Sequence, residues 1–365
     1  MEAAARAVAK MFAVGFDGKH VTPSLEKLLD RGIGAVVLFS RNVESPQQVA
    51  RLCFDIQNRA KRPVLIAVDQ EGGRVMRLRS GFTSIPSMRA IGSTDDENLA
   101  RQVGQVLARE LQAVNIHMDL APVMDVDSNP ANPVIGDRSF SADPDLVSRM
   151  GCALLKGLQS SGVAACAKHF PGHGDTSKDS HFDLPRLPHP LSRLEKVELP
   201  PFQSAISAGV SAIMTAHVIF EALDPAHPAT ISHAVLTRLL RQKMGFDGVI
   251  ISDALEMKAI SAHFPIDEVA VKGANAGLDL LAICENPDLQ NQAIDALALA
   301  TERGIVPWKQ IERANRRIDR LMKQYVRPPA DSSDLSVLGC PEHRAIVERL
   351  SSVPVGPDPT ERSTS

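Results

Sequence analysis

The chain has 365 residues, 44% of them hydrophobic and 23% charged, and a net charge of -3. This balance supports a sizeable buried core and excludes a sequence-wide electrostatic attraction to nucleic acid or to an anionic membrane surface. No apolar stretch approaches the roughly 18 residues needed to span a bilayer, and Met1-Glu2-Ala3-Ala4-Ala5-Arg6 lacks the basic-then-apolar order of a signal peptide. The five cysteines (Cys53, Cys152, Cys166, Cys284 and Cys340) are scattered and mostly lie in apolar segments. They read as buried thiols of a reducing compartment, not as a disulfide frame, so the expected location is cytoplasmic.

Short apolar runs alternate with amphipathic segments along the chain. The runs cover residues 11–16, 33–39, 63–68, 116–123, 163–167, 210–218, 248–251 and 278–283. They lack strict alternation, as expected of parallel strands buried on both faces. Helix signals fall between them. Ser45-Pro46-Gln47-Gln48 offers an N-cap, a proline in the first turn and a capping-box glutamine, with Val49, Leu52, Cys53 and Ile56 on one face of the helix that follows. Thr94 with Glu97, and Ser192 with Glu195, repeat the capping box, and Gly245 after Leu239, Leu240 and Met244 predicts a helix C-terminus.

Eight strands alternating with helices predict an α/β fold, a (β/α)8 TIM-type barrel, over an open doubly wound sheet. The barrel is expected as a single domain over residues 1–326, followed by a short C-terminal tail over residues 327–365. That tail begins with Pro328 and Pro329, keeps one helical patch near residues 344–350, and ends in a stretch rich in Pro, Ser and Thr that is expected to be disordered.

Catalytic groups of such barrels lie at the C-terminal ends of strands. The third strand ends in Asp69, with Arg77 nearby; the fourth is followed by Asp125, Asp127 and Gly136-Asp137-Arg138. The fifth ends in Lys168-His169, the sixth in His217 and the seventh in Ser252-Asp253. Beyond the fifth strand, residues 168–181 hold His169, His173, His181, Asp175 and Asp179 among Pro171, Gly172 and Gly174. A polar loop of this kind is costly to order, at about 1–2 kcal/mol of backbone entropy per residue, and is kept where titratable groups must be held in place.

Asp253 is placed to serve as a carboxylate nucleophile, or alternatively to cap a following helix. His181 suits general acid/base work, because imidazole titrates near neutrality, and Asp179 could orient it and stabilise its protonated form; both could instead be solvated loop residues. Asp69, Arg77, Arg138, Lys168 and His169 have the donors and the acceptor that a hydroxyl-rich ligand needs, and equally those of strand-end ion pairs. Two rival readings stay open. A metal-dependent hydrolase would draw ligands from His169, His173, Asp175, Asp179 and His181, although Pro171 and Gly172 break the helix that the His169/His173 spacing would require. A non-catalytic sugar-binding barrel would need no nucleophile.

The strings Ala67-Val68-Asp69-Gln70-Glu71-Gly72-Gly73-Arg74-Val75, Gly136-Asp137-Arg138-Ser139-Phe140, residues 168–181 and Ser252-Asp253-Ala254-Leu255 closely resemble the β-N-acetylglucosaminidase branch of family 3 glycoside hydrolases. The resemblance runs from about residue 11 to residue 325. It implies a (β/α)8 barrel and a retaining mechanism without cofactor or metal. Asp253 would be the nucleophile, His181 with Asp179 the acid/base dyad, and Asp69, Arg77, Arg138, Lys168 and His169 the groups that bind N-acetylglucosamine. It also implies a cytoplasmic, single-domain enzyme, expected as a monomer, acting on a small carbohydrate or muropeptide of cell-wall recycling, with no nucleic-acid or membrane partner. Gly172 and Gly174 would let the loop bearing His181 close over the sugar.

Overall fold

The eight apolar runs fold into eight strands: β1 (Phe12–Val14), β2 (Ala35–Leu38), β3 (Leu65–Val68), β4 (Met118–Asp119), β5 (Ala164–Phe170), β6 (Ala212–Thr215), β7 (Val249–Ser252) and β8 (Leu281–Ile283). The computed structural model describes residues 2–176, 184–328 and 334–350. Every barrel pairing is parallel, each strand lying beside its sequence neighbour, and β1 pairs with β8 through Phe12↔Leu281, Ala13↔Ala282 and Val14↔Ile283. The remaining seam, between β7 and β8, is joined by the Ile251↔Leu280 bridge and by Ser252 N–H donating to the Leu280 carbonyl at 2.9 Å. The result is a (β/α)8 barrel, and its strands are buried along their whole length. That is why they read as unbroken apolar runs instead of alternating ones.

The helices pack outside, and their sequences explain their limits. Helix Pro46–Arg59 starts where the Ser45 hydroxyl accepts the Gln48 N–H and proline occupies the first turn, and it buries Val49, Leu52, Cys53 and Ile56. Each such side chain contributes about 1.5–3 kcal/mol by leaving water. Helix Glu97–Ala113 is capped by Asp96, which accepts the Leu99 N–H, and not by Thr94. Thr94 instead accepts the N–H of Asp96 itself, so the stronger cap two residues on takes the position. Ser192 caps nothing either: the single turn Leu191–Leu194 begins after Pro190 and ends before Glu195 can reach back. Gly245 does follow the π-helical segment Ala234–Lys243, with φ at 76°.

Helices Glu97–Ala113 and Pro144–Ser160 touch backbone to backbone. A Cβ on Gly104 would sit 2.3 Å from the Leu154 carbonyl oxygen, and one on Gly157 2.1 Å from that of Arg101. Beyond helix Trp308–Tyr325, helix Pro341–Val347 lies against helix Glu97–Ala113. There the buried Glu110 carboxylate accepts from the backbone N–H and hydroxyl of Thr83, from the Gly339 N–H at 3.0 Å, and contacts His343 Nδ1 at 2.8 Å. Residues 327 and 328 and 334–350 of the expected tail are therefore described, whereas its end, residues 351–365, lies outside the described residues. Among the described residues, no helix is long and apolar enough to cross a membrane, and none of the five cysteines forms a disulfide.

Candidate active site

Asp69 follows β3 directly. The chain then doubles back in a short antiparallel hairpin, Gln70–Gly72 against Val75–Met76, which carries Glu71 and delivers Arg77. Gln70 fixes this hairpin. Its backbone N–H donates to Asp119 Oδ1 at the end of β4, and its side chain clasps both the N–H and the carbonyl of Leu78. Across the mouth, β5 runs past its expected end through Lys168 and His169 to Phe170.

These elements bring four of the five expected ligand-binding residues into one chain of charges. Lys168 Nζ lies 2.7 Å from Asp69 Oδ1 and 2.6 Å from Glu71 Oε1. Glu71 is gripped by both arms of Arg138, with Nε at 2.9 Å and Nη2 at 2.8 Å, and Arg77 Nη2 meets Asp69 Oδ2 at 3.2 Å. Burial opposes every one of these charges, and the partners overcome it. Lys168 and then Arg77 hold Asp69 below its ordinary range. Arg138 and Lys168 push Glu71 far down, while Asp69 and Glu71 push Lys168 up. Desolvated, mutually hydrogen-bonded charges of this kind stay ionised and keep their geometry.

The fifth residue, His169, is organised by Asp125. That buried carboxylate faces His169 Nδ1 at 2.7 Å and accepts the backbone N–H groups of His169 and His173. Burial would raise Asp125, but the two histidines outweigh it and leave its carboxyl below the usual range. An ionised Asp125 accepts a hydrogen bond from Nδ1–H, which sets the ring's tautomer and aim. His173 Nδ1 lies 2.9 Å from the Thr176 hydroxyl, and burial first, then His169, depress its imidazole to about 4. Gly174 is required by contact, because a Cβ there would lie 1.7 Å from the Val126 carbonyl oxygen.

Asp253 stands immediately after β7, on the same rim. It caps no helix, since the next helix, Lys258–Ser261, begins at Met257; its Oδ1 accepts the adjacent Ala254 N–H at 2.8 Å. Burial raises the thiols of Cys166 on β5 and Cys284 after β8. Asp69 and Asp253 each follow the C-terminal end of a barrel strand, β3 and β7. Asp179 and His181 lie outside the described residues.

Glu71 and Asp125 are positions within this cluster that reading the sequence left out or unranked. The only signal for Glu71 was its place beside Asp69 in the string that carries the resemblance. Asp127 turns away to Arg89, 2.5 Å distant, and does not join Asp125. Asp119 ends β4 among these charges, and burial raises it well above the ordinary carboxylate value.

A closed parallel barrel with carboxylates, a lysine, arginines and imidazoles gathered at its strand ends defines an enzyme of the (β/α)8 class, with its site at the C-terminal mouth. The chain belongs to glycosyl hydrolase family 3, whose N-terminal domain profile matches residues 6–321. A β-hexosaminidase of Thiobacillus denitrificans is 43% identical over 277 residues, which is 74% of this chain and 77% of that protein. Among solved structures, a family 3 β-N-acetylglucosaminidase of Paenibacillus superposes with a TM-score of 0.92 at 40% identity, covering 94% of this chain and 67% of the other. NagZ of Neisseria gonorrhoeae, solved with N-trifluoroacetyl-D-glucosamine, superposes with a TM-score of 0.81 at 34% identity, over 93% of this chain and 96% of its own.

Proposed function

We propose that this chain, a glycoside hydrolase of the β-N-acetylhexosaminidase type, releases terminal β-linked N-acetylglucosamine with retention of configuration, through a glycosyl-enzyme on Asp253. The observation that supports the reading most strongly is the charge chain Asp69–Lys168–Glu71–Arg138, with Arg77 on Asp69, at the same C-terminal rim of strands that carries Asp253. Asp69 and Lys168 offer a sugar hydroxyl a fixed acceptor and a fixed donor, each already desolvated. Arg77 and His169 extend that ring of donors. Arg138 spends its fork on Glu71 and holds Lys168 through it.

In the first half-reaction the Asp253 carboxylate attacks the anomeric carbon while His181 gives a proton to the departing oxygen, and Asp179 stabilises the imidazolium before transfer. In the second, neutral imidazole takes a proton from water as the water displaces Asp253, which restores both groups. Paired-carboxylate retaining enzymes hold their two groups about 5–5.5 Å apart; here an imidazole takes the place of one carboxyl. Because a neutral base does not repel an anion, phosphate competes with water as acceptor under this scheme. The aglycone is an anhydromuramyl peptide of cell-wall recycling, and the compartment is the cytoplasm, which the five free thiols support.

The test is trapping with a 5-fluoro N-acetylglucosaminyl fluoride, followed by peptide mapping. A label on the peptide that contains Asp253, together with loss of turnover but retained sugar binding in Asp253→Ala, is the expected result. A label elsewhere, or full turnover by Asp253→Ala, overturns the assignment.

A further inference from the structure

His217 lies two residues beyond β6, almost completely buried, and the mechanism above leaves it without a task. Its imidazole is fixed from both sides. Nε2 is 2.9 Å from the Ala254 carbonyl oxygen, and since a carbonyl can only accept, Nε2 carries the proton. Nδ1 is 2.7 Å from the Thr230 hydroxyl, which is itself bound to the Thr215 hydroxyl and the Ala216 carbonyl. The ring therefore spans from the end of β6 to the residue directly after Asp253.

The turn it reaches is held on its other flank as well. Leu255 N–H donates to the Ala282 carbonyl at 2.9 Å. The Glu256 carboxylate accepts the N–H groups of Cys284, Glu285 and Asn286, which ties the segment to the end of β8. Between these anchors, the Ala254 N–H fixes one oxygen of Asp253. The bond from His217 thus ties the turn to the end of β6, as Glu256 ties it to the end of β8.

We infer that His217 is a positioning residue that fixes the aim of Asp253 by holding the Ala254 carbonyl from the neighbouring strand. It is not the acid or the base, because Nε2–H is committed to a backbone carbonyl and Nδ1 to a buried hydroxyl. The inference rests on Asp253 being the nucleophile. Its cost on failure is one of geometry: a displacement of about 1 Å at a reacting group lowers the rate by about 100-fold.

The experiment compares His217→Gln with His217→Met, two side chains of similar length of which only glutamine keeps an N–H where Nε2–H stood. Both are assayed on an aryl N-acetyl-β-glucosaminide and in the 5-fluoro trapping reaction. His217→Met is expected to lose about 10- to 100-fold in kcat with KM changed less than about twofold, and its trapping rate to fall in parallel. His217→Gln is expected to restore most of both rates. Equal rates in the two variants, whether both high or both low at equal melting temperature, overturn the inference. Asp253→Ala separates the two levels: turnover by that variant sinks the nucleophile reading, whereas a dead Asp253→Ala beside a fully active His217→Met sinks only the role of His217.

Discussion

Replacing Glu71 with glutamine probes the centre of the site with almost no change of shape. Oε1 of Glu71 receives Lys168 Nζ at 2.6 Å and Arg138 Nη2 at 2.8 Å, and Oε2 receives Arg138 Nε at 2.9 Å. In Glu71→Gln the amide oxygen can keep two of these donors. The NH2 group must then face the third, donor against donor, and Lys168 and Arg138 lose the negative charge between them. Glu71 is 1% exposed and Lys168 2% exposed, so solvent does little to relieve the imbalance. Breaking one member of a buried ionic network costs about 3–5 kcal/mol. In a protein of this size that corresponds to a melting temperature lowered by about 6–10 °C, at roughly 2 °C per kcal/mol. Thermal unfolding followed by circular dichroism at pH 7 measures it. The pH dependence adds a signature. The folded-state value of Glu71 is depressed, so its stabilisation is complete above the unfolded value of about 4.3 and is lost as pH falls below it. The gap between wild type and Glu71→Gln should therefore close progressively below pH of about 4. A melting temperature within about 2 °C of wild type at pH 7, or a gap that stays constant into acid, would refute the argument.

Two further outcomes concern stability away from the mouth. His117 is buried neutral, with Nδ1 accepting the Ile66 N–H at 3.1 Å, and burial lowers its pKa to about 4. Between pH of about 6.5 and 4 the unfolded chain takes up a proton there that the folded chain refuses, so stability drops with falling pH by up to about 1.4 kcal/mol per unit. His117→Asn keeps an acceptor for Ile66 and removes this titration; urea unfolding at pH 7 and pH 5 should show a shallower acid loss, and an unchanged loss would contradict it. His343→Ala should lower stability by about 1–3 kcal/mol, since it strips a partner from the buried Glu110 carboxylate. An effect under about 0.5 kcal/mol in urea unfolding would show that the contact contributes nothing.

The barrel was legible because its strands are buried on both faces, which turns each into a short apolar run that a surface strand would not show. Val163 to Ala167 marked β5 correctly, yet the strand continues through Lys168 and His169, where charge hides a buried backbone. The capping signals at Thr94 and Ser192 failed for local reasons: an aspartate sits two positions beyond Thr94, and Pro190 starts the turn ahead of Ser192. At the site, the individual candidates at strand ends could be read one by one. Their pairing could not, because Glu71 meets Arg138 across 67 positions and Asp125 meets His169 across 44. Contacts so distant in sequence leave no periodic trace, and only closure of the barrel brings them together.

Glu110 reaches Gly339 and His343 over 229 and 233 positions, and β1 pairs with β8 at the other seam. For a polypeptide emerging from a ribosome, both joins wait on segments that appear long after their partners. Throughout that interval the nascent barrel is an open trough with a strand edge exposed, and helix Glu97–Ala113 presents a carboxylate still short of its ligands. Delivery of Leu281–Ile283 and then of Pro341–Val347 ends this vulnerable period, so errors of assembly should concentrate in chains stalled between those two points.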